Sequence, residues 1–108
     1  MADILKVLGQ VAAPSVTPTL LYAVPALSSA TTSSLVVCNR STAGTFRISI
    51  RIAGAGASNS QFLFFDAPLA ANSTLTAVLG MTLAESDEVY VYASTANFSF
   101  NLFGVETR

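Results

Sequence analysis

The stretch EVYVYASTANFSFNLFGV, residues 88–105, decides how the rest of the chain is read. Val89 and Val91 alternate with Tyr90 and Tyr92. A short polar turn follows, and Phe98, Phe100 and Leu102 then alternate with Ser99, Asn101 and Phe103. Period-two alternation is the pattern of β-strands, and two such runs joined by a polar turn predict a β-hairpin. An antiparallel sheet in a small domain buries one face and wets the other. Here the second face carries Tyr90, Tyr92 and Phe103, so the reading predicts an aromatic outer surface that something must cover.

The same alternation recurs along the chain. Strands are expected in TLLYAV (19–24), SSLVVCN (33–39), TFRISIRIA (45–53), QFLFFDA (61–67), STLTAVL (73–79), EVYVYAS (88–94) and FSFNLFGV (98–105). KVLGQV (6–11) adds an eighth at an edge, the alternative being that residues 1–18 form an extended N-terminal arm. Pro14 and Pro18 stop any helical turn begun near Ile4 and Leu5. Gaps of turn residues between strands leave no room for crossover helices. The expectation is one all-β domain over residues 1–108, an antiparallel β-sandwich or jelly roll of about 7–8 strands.

In TFRISIRI, Phe46, Ile48, Ile50 and Ile52 fall on one face, with Arg47 and Arg51 on the other. The arginines read either as a solvated strand face or as a docking face for acidic groups, with Asp66 as a partner for either one across the sheet. In QFLFFDAP an outward Asp66 puts Phe62 and Phe64 outward and Leu63 and Phe65 in the core. Tyr90, Tyr92, Phe103, Phe62, Phe64, Arg47 and Arg51 are therefore the candidate interface residues. The loop around residues 53–61, with Gly54 and Gly56, reads as a partner-contacting loop and lacks the phosphate-loop pattern.

Catalytic chemistry is thinly provided. The chain has no histidine, which removes Ser-His and Cys-His nucleophile activation and histidine metal sites. Cys38, within LVVCN, reads as a small buried hydrophobe. Glu85, Asp87 and Glu88 in AESDEV lack the calcium-loop pattern and read as a solvated turn. The sequons at Asn39, Asn72 and Asn97 read as coincidence. No catalytic residue, metal ligand or cofactor is expected.

Of 108 residues, 10% are charged and 52% apolar, with a mean hydropathy of +0.59. A typical domain has about 25% charged residues, so this chain has little charge to hold free monomers apart. No apolar run approaches the roughly 20 residues of a membrane-spanning helix. The net charge of −1 shows no basic cluster, which argues against nucleic acid as a partner. The first residues, MADILKVLGQVAAP, lack the layout of a signal peptide, so synthesis and folding in a cytoplasm are expected.

Three segments resemble a family of small virion structural proteins of tailed phages, of the capsid cement or decoration type. They are LYAVPALSSATTSSLVVCNRSTAGTFRISIRI, QFLFFDAPLAANSTLTAVLGMTLAESDEVYVYAS and NFSFNLFGVE. The shared pattern is a Tyr-x-Val-Pro entry, a Val-Val-Cys-Asn-Arg strand end, Phe-Arg-x-x-x-Arg, an aromatic-Asp-x-Pro turn, and a closing Val-Tyr-Ala-Ser with Phe-x-x-Phe-Gly. It covers roughly residues 8–108 and includes Arg40, Arg47 and Arg51. AESDEV departs from the Gly-Asp turn expected there. The resemblance implies a β-sandwich on the outer surface of a capsid, made in the host cytoplasm, that self-associates as a dimer or trimer and contacts the major capsid protein. The alternative is a tail, neck or baseplate component whose jelly roll binds a host glycan, with Asn97, Asn101 and Asp66 beside the aromatic residues.

Overall fold

The computed structural model describes residues 2–108, in nine strands and one short 3-10 turn. The strands are β1 Asp3–Ala12, β2 Thr19–Ala23, β3 Ser29–Asn39, β4 Gly44–Arg51, β5 Phe62–Leu69, β6 Thr74–Ala77, β7 Thr82–Leu83, β8 Glu88–Ala93 and β9 Phe98–Thr107. The 3-10 turn, Asn59–Gln61, sits between β4 and β5 and is capped by Ser58. One sheet has the order β1-β9-β3-β6, with β7 also on β3; the other has the order β2-β8-β4-β5. Every strand pair is antiparallel.

The pairings nest. β1 lies beside β9, β2 beside β8, β3 beside β6 and β4 beside β5. Such a chain is a long hairpin rolled into two layers, the winding of a jelly roll. The all-β sandwich read from the sequence is present, with the two-residue β7 as an unforeseen strand.

The core lies between the layers. Val89, Val91 and Ala93 of β8 face Phe98, Phe100 and Leu102 of β9, and all six are no more than 1% exposed. β8 and β9 therefore belong to opposite sheets, and the hairpin expected over 88–105 does not form. Alternation cannot distinguish the two cases, because strands with one apolar face bury it equally well side by side or across a core. Phe46 binds the layers, its ring centroid 5.6 Å from Phe64, 6.2 Å from Phe98 and 6.4 Å from Phe100.

Residues 3–12 are an edge strand paired along β9, not a free arm. β4 stops at Arg51, which leaves Ile52, expected in the core, 68% exposed. β6 covers four residues of the seven expected. Cys38 lies on the outer side of β3 and is half-buried, because Val37 and Asn39 take the inward positions. Asn39 is fully buried. Its amide nitrogen donates to the carbonyls of Thr42, Leu69 and Ala70 at 2.7, 3.0 and 3.2 Å.

Candidate interaction surfaces

The two outer faces of the sandwich differ in chemistry. On the β2-β8-β4-β5 sheet, Tyr92 is level with Arg47, and Tyr90 with Ser49, which in turn is level with Phe62. The Arg47 guanidinium lies 4.1 Å from the Phe65 ring centre and 4.3 Å from that of Tyr92. Arg51 lies 3.7 Å from the ring centre of Tyr90. Arg47 also donates to both oxygens of Asp66, at 2.6 and 3.3 Å, which holds its pKa above the ordinary arginine value. Phe62 and Phe65 meet edge to face at 4.9 Å. Arg51 Nε is buried without a hydrogen-bond partner, so stacking on Tyr90 is what holds the group.

Two β-bulges in the β4–β5 pairing set this arrangement. Arg47 opposes both Phe65 and Asp66, and Leu63 is an extra residue between Phe62 and Phe64. Each bulge breaks the two-residue period. The inward and outward positions of β5 thus differ from the expected ones: Phe64 packs on the core, whereas Leu63 and Phe65 are 46% and 56% exposed. Asp66, at φ 51°, takes the left-handed conformation that Asp tolerates better than most residues, and its carboxylate meets Arg47.

Of the seven interface candidates, the structure gathers Tyr90, Tyr92, Arg47, Arg51 and Phe62 on this face. Phe64 is not on it, and Phe103 is on the far side of the molecule, because β9 belongs to the other sheet. Phe65 was missed; only the bulges bring it out. An open cleft of about 320 Å³ beside this face is lined by Asn59, Phe62 and Phe65.

The outer face of the β1-β9-β3-β6 sheet is almost free of charge. Cross-strand neighbours Leu5 and Val105, and Val7 and Phe103, form its apolar centre, flanked by Thr31, Ser34, Val36 and Asn101. Leu5 is 80% exposed and Val7 46%. Asp3 alone is charged among the outward positions of these strands. Alternation around Lys6 in DILKVLGQV gives the opposite reading, since it sets Leu5 and Val7 together on the apolar side, whereas in the structure it is Lys6 that turns toward Glu106.

At one end of the sandwich a carboxylate is buried between the layers. Glu106, 1% exposed, shares the inward parity of Phe98, Phe100 and Leu102, a signal present in the sequence. The Tyr22 hydroxyl from the opposite sheet donates to its Oε2 at 2.6 Å; Arg108 and Lys6 approach Oε1 at 3.0 and 3.5 Å. The Tyr22 hydrogen bond, with help from the two cations, lowers the Glu106 pKa against the opposing effect of burial. Burial, and then the same hydrogen bond, raises the Tyr22 pKa.

The acidic turn is structural. Asp87 accepts backbone N–H groups of Ala53 and Ala84 at 3.0 and 2.9 Å, and Glu85 accepts that of Leu27 at 3.0 Å. Among the described residues no group of three or more His, Cys, Asp or Glu is arranged to hold a metal ion, and no helix is long and apolar enough to cross a membrane. Compared with protein-family models, curated proteins and solved structures, the chain matches none.

Proposed function

We propose that this chain is a non-enzymatic structural subunit of a tailed-phage particle, a capsid cement or decoration protein on the outside of the head. It reinforces the shell by associating with itself and by covering neighbouring copies of the major capsid protein. The reading is carried by the stacked face of Arg47, Arg51, Tyr90, Tyr92 and Phe65. Tyr and Arg dominate the energetic centres of protein interfaces. Here their side chains are already held in place by stacking and by Asp66, so contact immobilises few additional rotamers. The face carries Asp66 and Glu88 beside Arg47 and Arg51, so it suits a partner patch of mixed charge. The resemblance in the Val-Val-Cys-Asn-Arg and Phe-Arg-x-x-x-Arg segments supports the same reading.

The test is copy number, by quantitative mass spectrometry of purified particles against the major capsid protein. Hundreds of copies in simple ratio to that protein are expected. About a dozen copies would refute cementing and move the protein to the neck, tail or baseplate.

One observation favours that second reading. The cleft of Asn59, Phe62 and Phe65 sets two rings beside an amide, the pairing that stacks on and hydrogen-bonds a sugar. Saturable binding of host polysaccharide, lost in Phe65→Ala, would establish it; a cement protein gives no such saturation.

A further inference from the structure

A β-sandwich of this size can be covered at its strand edges or on its sheet faces. The edges are defended. β1 carries Lys6 and a bulge at Leu8, and β2 is five residues long with a bulge of its own. β5 has two bulges and Pro68, and β6 is four residues long. Short strands, bulges, lysine and proline are the devices that stop a sheet from recruiting another strand. No comparable defence protects the face centred on Leu5, Val7, Phe103 and Val105.

We infer that this outer face of the β1-β9-β3-β6 sheet packs against the same face of a second copy, forming a two-fold dimer. This rests on the self-association in the reading above and names the surface that performs it. Two observations specify another copy as the occupant. The first is charge. A two-fold interface sets a surface against itself, so any charge near the axis meets its own image. The arginine face carries four charged groups, Arg47, Arg51, Asp66 and Glu88, that would have to be matched with their own images, whereas the outward strand positions of this face carry only Asp3, at its margin.

The second observation is area. β1 and β9 have ten residues each and β3 eleven. At about 3.4 Å per residue and 4.8 Å between strands, these three with β6 and β7 give a flat footprint of roughly 600 Å² per copy. Two copies bury about 1,200 Å², the lower bound for a specific stable interface, and side-chain relief adds to it. The shallow depression of about 350 Å³ between Gln10, Ala12, Ser99 and Asn101 gives the face relief to interlock. Dimerisation through this face leaves the arginine faces pointing outward on both sides of the pair.

The test is sedimentation equilibrium of the purified chain and of two variants. Phe103→Glu buries a charge at the centre of the interface. Leu5→Glu does the same at a position so exposed that the monomer fold does not depend on it. The wild type is expected at twice 11.2 kDa, both variants at 11.2 kDa, and Tyr90→Ser/Tyr92→Ser at the wild-type mass. A monomeric wild type at about 100 μM, or a Leu5→Glu variant that stays dimeric, would overturn the inference. Failure of the particle reading is separate: a dimer lost in Leu5→Glu, with no copies in the particle, refutes cementing and leaves this surface assignment standing.

Discussion

Glu106 is the side chain whose position in the core most needs explanation, because a carboxylate taken from water without partners costs several kcal/mol. Tyr22, Arg108 and Lys6 provide those partners, and the Tyr22 bond ties β9 of one layer to β2 of the other. Lys6 and Arg108 are partly exposed, so each can solvate its charge if the pair breaks; the Tyr22 hydroxyl cannot. Tyr22→Phe should therefore lose about 1.5–3 kcal/mol, the usual value of a hydrogen bond to a charged group. Thermal melting would then fall by roughly 4–8 °C per kcal/mol. The pH dependence follows from the two shifts. Glu106 has a folded pKa below its ordinary 4.5, so its contribution is complete above that pH and is lost as pH falls through the folded value. Tyr22 has a folded pKa above 10.0, so its contribution is complete below pH 10 and is lost as pH rises through the folded value. Denaturation midpoints measured from pH 2 to pH 11 should fall at both ends, and in Tyr22→Phe the alkaline fall from this residue should vanish. At Asn39 the amide is consumed by three carbonyls inside the fold, which leaves it no access to a glycosylating enzyme.

At the scale of elements, close approach and bulges govern what each strand can present. Gly9 of β1 faces the opposite sheet, where a Cβ would collide with the Leu21 carbonyl. Gly9→Ala has to push the layers apart and should cost about 1–3 kcal/mol, as over-packing does. Gly80, with open space around its Cβ position, is the control. Gly80→Ala should be neutral or stabilising by about 0.4–1 kcal/mol, through the unfolded chain. Urea midpoints of the two variants check the pair. The arginine stack makes a different prediction. Arg47→Ala removes a cation from between Phe65 and Tyr92 together with an exposed ion pair, and should cost only about 1 kcal/mol. Arg47→Lys should not restore it, because an ammonium cannot stack as a planar guanidinium does. A small stability loss with a large loss of particle binding, measured on the same variant, is the result expected of an interface residue.

At the scale of the molecule, the nested pairing makes nearly every stabilising contact distant in sequence. β1 finds β9 at the far end of the chain, and the N–H and C=O of Ala2 and Arg108 exchange hydrogen bonds at 2.8 and 3.0 Å. Loop closure is paid before such contacts form, so refolding should take milliseconds to seconds, the range for β-sandwiches. Stopped-flow fluorescence from the tyrosines checks this; a microsecond phase carrying the whole amplitude would contradict it. The molecule also divides its surface by chemistry, with one face nearly charge-free and the other bearing Arg47, Arg51, Asp66 and Glu88.

In most strands, alternation along the chain was enough to tell which residues face the core and which do not. Alternation alone places Val89, Val91, Phe98, Phe100, Leu102, Phe46 and Ile48 inside, because a strand has only two faces and burial selects one. It also put Arg47, Arg51, Tyr90 and Tyr92 outside. Which strands are neighbours emerged only from the packed fold. Burial rewards facing strands and adjacent strands alike, so Phe103 was assigned to the wrong face while its outward direction was read correctly. The exchange of Phe64 and Phe65, and the stacking of Arg47 on Phe65, likewise depend on bulges. A bulge is set by the register between two strands far apart in sequence, and no periodicity within one strand contains that information.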